Sequence, residues 1–320
     1  SGFYNEVRVI SVQTDGKILV GGWFTSFNGT YANRIIRLNA NGSIDNTFAI
    51  GTGFNAPVVA ISVQTDGKIL AGGQFTSYNG TSANYIIRLN TDGSIDNTFA
   101  SGMGFDGTVI AISVQTDGKI LVGGGFNSCN GTSANNIIRL NTDGSIDNTF
   151  ISGTGFDGAV NAISVQTDGK ILVGGYFSGY NGISANNIIR LNTNGGIDNS
   201  FIIGTAFDYF VNSISIQTDG KILLGGGFSS YNGTSANNII RLNTDGSIDN
   251  SFTTGTGFDF DVNAISVQLD GNILVGGIFT NYNGTSASRI IRLLSDGSSD
   301  NIFTSGTGFD GDANAISVQT

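Results

Sequence analysis

Carboxylates are the only abundant groups in this chain with chemistry to offer, because it contains no histidine. That removes the usual general base and the commonest zinc ligand. The segment Asn90-Thr-Asp92-Gly-Ser94-Ile-Asp96 sets oxygens at alternate positions, as a calcium loop does, and it recurs along the chain. Its glycine, however, stands fourth where an EF-hand loop needs it sixth, and no terminal Glu follows. A hairpin turn explains the Asp-Gly pair without a metal. No cofactor is expected, with calcium at Asn90, Asp92, Ser94, Asp96 and their equivalents as the alternative. A carboxylate-based glycosidase would need two carboxyls in different environments, yet only Glu6, Asp261 and Asp312 lie outside the repeated acidic series. The single Cys129 permits no internal disulfide. It occupies the slot held elsewhere by Phe27, Tyr78, Tyr180, Tyr231 or Tyr282, which marks it as a packing residue and not a nucleophile. No catalytic residue is expected, and the chain reads as non-enzymatic.

The elements that position these residues follow from an internal repeat. The string ISVQTDGKILVGG recurs with its glutamine at Gln13, Gln64, Gln115, Gln166, Gln217, Gln268 and Gln319, a constant spacing of 51. Residues 307–320 repeat the phase of residues 1–14. The chain therefore reads as one domain over 1–320 of six repeats, an excerpt of a longer array or a ring with one strand too many. Within the fourth copy the pattern predicts four short strands: Val160–Gln166, Lys170–Phe177, Asn187–Asn192 and one beginning at Ile197. Thr167-Asp168-Gly169 and Thr193-Asn194-Gly195 separate them as three-residue loops ending in glycine, the composition of a type I turn with a bulge. β-Branched strands, tight hairpins and no helix-period segment indicate an all-β fold. Strands this short must bury both faces against neighbouring units, and a six-bladed β-propeller with four antiparallel strands per blade achieves that. A parallel solenoid is the runner-up.

The strings Asp-Gly-Lys-Ile-Leu-Val-Gly-Gly and Arg-Leu-Asn-Thr-Asp-Gly-Ser-Ile-Asp resemble the delta-60 repeat, a β-propeller repeat of bacterial surface and virion-associated proteins. The resemblance covers all six units. It implies a propeller and a surface location, and it implies no catalytic residues.

The repeat itself accounts for most distinctive side chains. Arg37, Arg88, Arg139, Arg190, Arg241 and Arg292 are each followed eight residues later by an aspartate, Asp45 to Asp300. A three-residue loop between them places Arg190 opposite Asp198 on one sheet face, a cross-strand pair worth about 0.2–1 kcal/mol. Phe177, Phe201 and Phe207 belong to three phenylalanine series and are expected as wedges between blades. Gly174 and Gly175 leave room where sheets approach. The Asn-Gly-Thr strings at Asn28, Asn79, Asn130, Asn232 and Asn283 are glycosylation sequons in form, but read as Asn-Gly turns.

Function is expected where the copies differ. Three slots vary: the residue after Gly-Gly (Trp23, Gln74, Gly125, Tyr176, Gly227, Ile278), the loop into each first strand (for example Asp208-Tyr209-Phe210 and Asp259-Phe260-Asp261), and the residue before Ile-Ile (Arg34, Tyr85, Asn136, Asn187, Asn238, Arg289). Tyr209, Phe210 and Phe260 put aromatics on loops with no evident core to fill, as binding surfaces do. Ring closure would gather Trp23, Tyr31, Arg34, Ile278 and Arg289 into one sector enriched in unpaired bases, suited to a sugar or an acidic partner.

With 24 acidic and 14 basic residues the net charge is −10, which disfavours nucleic acid. No apolar run reaches the roughly eighteen residues a membrane span needs. The expected function is a non-catalytic structural or binding module of a cell-surface or virion protein, for display, spacing or adhesion through a protein or glycan partner. The alternative is a lectin-like propeller; a glycosidase or lyase is a more distant third. The surplus terminal strand, with Ile316 and Val318 on an unpaired edge, is expected to pair with a second molecule, enter a further domain or lack order.

Overall fold

The computed structural model describes residues 2–100 and 102–319, and among them there is no helix. These residues gather into two compact units, residues 2–155 with Gln319, and residues 156–318. Each unit contains three copies of the repeat.

The fourth copy shows how the sequence builds a repeat. Strand Ala159–Val165 pairs antiparallel with Ile171–Tyr176, which pairs with Ile188–Leu191. The loop between the first two is the turn read from Thr-Asp-Gly. Gly169 sits at φ +83°, the Gln166 amide donates to the Lys170 carbonyl at 2.8 Å, and Asp168 Oδ1 accepts the Lys170 amide at 3.0 Å. A glycine takes that left-handed conformation without the Cβ penalty. The second loop has the same form, with Gly195 at φ +90° and Asn192 bonded to Gly196 at 2.7 Å.

The fourth strand position is abbreviated. It consists of one antiparallel bridge, Leu191 to Ile197, and a 2.9 Å bond from the Asp198 amide to the Arg190 carbonyl. Asp198 then ends the extended run: its Oδ1 accepts the Ser200 amide at 3.0 Å, and its carbonyl accepts the Phe201 amide at 3.2 Å. A small hairpin, Gly179–Tyr180 with Ile183–Ser184, is an addition that the alternation pattern does not reveal. Its turn is Asn181-Gly182, both at positive φ, the type I′ signature.

The core lies between copies. In the second unit Leu172 and Ile188 of one repeat pack with Phe201, Phe207, Val211, Leu224, Phe228 and Tyr231, all buried. Each such side chain contributes about 1.5–3 kcal/mol by leaving water, and a lone repeat would forfeit much of it. The glycine pair permits this approach: a Cβ on Gly174 would lie 2.7 Å from Val211 Cγ1, and one on Gly175 would lie 2.1 Å from the Ala159 carbonyl oxygen.

The arginine–aspartate series is confirmed as a contact within each repeat, with Arg190 Nε 2.7 Å from Asp198 Oδ2. The sequence-based energy needs correction, because both side chains are buried. Lys170 Nζ reaches the same oxygen at 3.1 Å, Ser200 Oγ accepts from Arg190 Nη2 at 3.1 Å, and the guanidinium lies 4.7 Å from the Phe201 ring centroid. Arg190 Nη1 also donates to the Thr244 carbonyl of the next repeat. Removing one partner of such a buried pair costs about 3–5 kcal/mol, well above the exposed-pair figure. In the first unit Arg37 also borders a polar cleft of about 910 Å³, but its nitrogens are engaged by Asp45, Thr91 and Thr47.

Both copies of the first strand can be followed. Val7–Val12 pairs with Ile18–Gly22 in a sheet. Residues 313–318 carry no strand pairing but are seated on their own unit: the Ala313 amide donates to the Gly277 carbonyl at 3.1 Å, and a Cβ on Gly276 would lie 2.9 Å from Ile316 Cδ1. That is the place Val211 and Ile214 take against Gly174. The segment extends a ladder of side-chain amides, Asn161 to Asn212 at 3.2 Å, Asn212 to Asn263 at 3.2 Å and Asn263 to Asn314 at 3.0 Å.

Candidate functional site

The three variable slots meet in space. The residue after Gly-Gly donates its amide to the third residue of the entry loop: Trp23 to Glu6 at 2.8 Å, Gln74 to Pro57 at 2.9 Å, Gly227 to Phe210 at 3.1 Å and Ile278 to Asp261 at 3.0 Å. The slot before Ile-Ile closes the group, since Gly22 bonds to Arg34, Gly73 to Tyr85 and Gly226 to Asn238. Every residue in that third slot has φ between 65° and 68°. Asparagine tolerates this better than most side chains, so Arg34, Tyr85 and Arg289 hold a less favoured conformation.

Not every sequence candidate stands at such a surface as expected. Trp23 and Tyr31 are exposed, and the Tyr31 hydroxyl donates to the Thr52 carbonyl at 3.1 Å. Both guanidinium groups contact backbone carbonyls, and Arg34 has no acidic partner among the described residues. Arg34 Nη1 donates to the Trp23 carbonyl at 2.5 Å, and Arg289 Nη1 donates to the Ile278 carbonyl. Arg289 also approaches Asp312 at 3.9 Å. Ile278 is half-buried. Trp23, Tyr31 and Arg34 belong to the first unit; Ile278 and Arg289 belong to the second.

Of the aromatic candidates in the second unit, Tyr209 and Phe210 form a cluster with Tyr176, while Phe260 has no ring contact among the described residues. Tyr209 is 46% exposed and Phe260 55%. Tyr209 stacks tilted on Phe210 with centroids 4.5 Å apart, and meets Tyr176 edge-on at 5.6 Å. Tyr176, 58% exposed, borders a cleft of about 780 Å³ that also includes Asn186, Asn187, Thr205 and Asp208. An equivalent cleft of about 620 Å³ one repeat on includes Gly227, Asn238, Asp259, Phe260 and Asp261.

The acids at these clefts differ in kind. Asp157 accepts the amides of Ser178 at 2.9 Å and Gly179 at 3.0 Å, and Asp208 does the same for Ser229 and Ser230. Burial acts to raise the Asp208 carboxyl, but the Ser229 hydroxyl and these amides hold it below the usual range. Asp261 has no hydrogen bond or ion pair to its carboxylate among the described residues, and burial pushes it up. Its place outside the repeated acidic series was the sequence signal; its isolation was not legible. Glu6 pairs with Arg8 at 2.9 Å.

Of the calcium candidates, Asp92 and Ser94 are exposed and Asp96 is buried. Asp92 Oδ1 accepts from the Ser94 amide at 3.0 Å and hydroxyl at 2.7 Å, and Asn90 Nδ2 donates to Ser94 Oγ at 2.9 Å. Asp96 faces Arg88 at 2.6 Å and Lys68 at 2.9 Å. In this arrangement the set serves a turn and an ion-pair network.

Comparison with known proteins adds the wider frame. The family model described as "Domain of unknown function (DUF5122) beta-propeller" matches residues 13–48, 64–99, 115–150, 166–201, 217–252 and 268–303. A search of curated proteins finds no match. Among solved structures, the chain is similar to the WD40 β-propeller domain of Doa1 (16% identity, 94% of this chain and 92% of that one, TM-score 0.58). It is also similar to virginiamycin B lyase from Staphylococcus aureus (20%, 93% and 85%, 0.55). A third likeness is to PorZ, a bacterial surface component of the type-IX secretion system of Porphyromonas gingivalis (14%, 91% and 39%, 0.53). At these identities the likeness is one of fold.

Proposed function

The chain belongs to the DUF5122 β-propeller family, its six repeats being six blades, and from that premise we propose that it is a non-catalytic binding module of a surface-exposed protein. The delta-60 resemblance and the surface role of PorZ support that location. The observation that carries the reading is the convergence of the three variable slots, with exposed aromatics, on a scaffold whose repeated residues are engaged with one another. The repeated arginines and aspartates are engaged with one another, and among the variable residues Trp23, Gln74, Tyr176, Tyr209 and Phe260 are exposed, while Asn187 and Asn238 are buried. No helix is long and apolar enough to cross a membrane among the described residues.

Virginiamycin B lyase shares the fold, but catalysis by paired carboxylates finds little support in this chain. Glu6 is paired with Arg8 and Asp312 approaches Arg289, which leaves Asp261 alone among the acids outside the series. A lectin-like version is favoured by one specific feature, the cleft in which Asn186, Asn187, Thr205 and Asp208 lie with the exposed Tyr176 ring. The test is a binding screen of the purified protein against a glycan array and a peptide panel. Recognition abolished by Tyr209→Ala with Phe260→Ala, at unchanged melting temperature, supports the module. Binding indifferent to those substitutions, or turnover of a bound compound, would overturn it.

A further inference from the structure

Blades four to six carry an aromatic row that ends at a carboxylate. Tyr176 meets Tyr209, Tyr209 stacks on Phe210, and Phe210 leans over Gly227. A methyl group added to Gly227 would lie 2.6 Å from Phe210 Cζ and 3.1 Å from Asp261 Oδ1, so ring edge and carboxylate converge on one point. Phe260 stands exposed next to Asp261 in the chain.

The repeat supplies an internal comparison for Asp261. Fifty-one residues on, its equivalent Asp312 is faced by Arg289 at 3.9 Å. The residue equivalent to Arg289 at the earlier blade is Asn238, which is buried and donates to the Phe258 carbonyl at 2.9 Å. The chain thus provides a guanidinium to one member of the pair and none to the other. The other bases of the second unit are committed, since Lys170, Arg190, Lys221, Arg241 and Arg292 all pair with aspartates.

We propose that Tyr176, Tyr209, Phe210 and Asp261 form a subsite for an organic cation, a guanidinium or alkylammonium group on an apolar stem. The head group pairs with Asp261 as Arg289 does with Asp312, while the stem lies along the rings. Aromatic faces attract such cations, and exposed Asp157, Asp208 and Asp259 add a field of the same favourable sign. The inference deepens the binding-module reading and rests on it.

The test is calorimetric titration and ligand-observed NMR on the full chain with three probes: 1,5-diaminopentane, a blocked glycyl-arginyl-glycine peptide, and glucose as a neutral control. Saturable binding of a cationic probe is expected. Asp261→Asn should weaken it about tenfold, and Tyr209→Ala or Tyr176→Gly about threefold to fivefold each. Glycine already occupies the Tyr176 slot at Gly125 and Gly227, so that variant is compatible with the fold. A peptide bound tenfold more tightly than the diamine points to a protein partner, and equal affinities point to a free amine; either supports the subsite. Cation affinity unchanged in Asp261→Asn, or no saturable cation binding at millimolar concentration, overturns it. If glucose binds and only Tyr209→Ala abolishes this, the cation subsite falls while the module stands. If no partner of any class depends on these rings, both fall.

Discussion

Cys129 lies 2% exposed, and burial, reinforced by nearby Asp106, pushes its thiol up to about 12. The thiolate is the reactive form, so a disulfide-exchange reagent at pH 8 should leave the native protein unmodified while labelling the urea-unfolded chain fully. Rapid native labelling would show an open thiol. The aspartates of the ion-pair series make a second prediction at this scale. Burial acts to raise Asp45, Asp96, Asp147, Asp198 and Asp249, but hydroxyl, amide, lysine and arginine donors hold all five far below the usual carboxylate range. A depressed folded-state value means that their stabilisation is fully present above the unfolded value near ~4 and is lost as pH falls through the folded one. Tyr78 and Tyr231 act in the opposite direction: burial raises both from 10.0 to about 12, so their contribution is lost as pH rises across that interval. Melting temperature should therefore plateau between about pH 5 and 9 and fall on both sides. An acid limb absent down to pH 2 would contradict the network.

The blade is the element that the sequence announces most clearly, because each hairpin turn is written in residues with one conformational use. Gly169 and Gly195 take the positive φ that Asp-Gly and Asn-Gly loops require, and the loops close as read. The abbreviated fourth strand was less legible, since Ile197 looks like a strand start. Only Asp198 Oδ1 capturing the Ser200 amide cuts it short. The small Asn181-Gly182 hairpin has arms of two residues, too few for alternation to register. Close packing gives the prediction here. Gly175→Ala would set a Cβ 2.1 Å from a backbone oxygen that belongs to the paired strand. Overpacking of this kind costs about 1–3 kcal/mol or more. Urea denaturation should show the loss in the midpoint with little change in slope; an unchanged midpoint would mean that the strands are not held this closely.

At the scale of the whole molecule, periodicity and deviation from it carry different information. Seven glutamines at one spacing specify six blades, and the family match falls on the same six segments. The binding face is legible only in part. The sequence singles out Tyr209, Phe210 and Phe260 as departures from the repeat, but it cannot show that Tyr176 meets Tyr209. Nor can it show that Asp261 lacks the partner Asp312 has; both facts depend on contacts between neighbouring blades. The bases Arg34 and Arg289 look available in sequence, yet each donates to the carbonyl of the residue after its own Gly-Gly pair, Trp23 and Ile278. Scaffold and recognition are therefore separable in this chain. The most direct measurement is calorimetric titration of a variant returned to the third copy's residues, Tyr176→Gly, Tyr209→Gly and Phe210→Thr together, with whichever partner binds the parent chain. The prediction is that specific binding disappears while the unfolding free energy changes by no more than about 1 kcal/mol; undiminished binding, or loss of the fold, would contradict it.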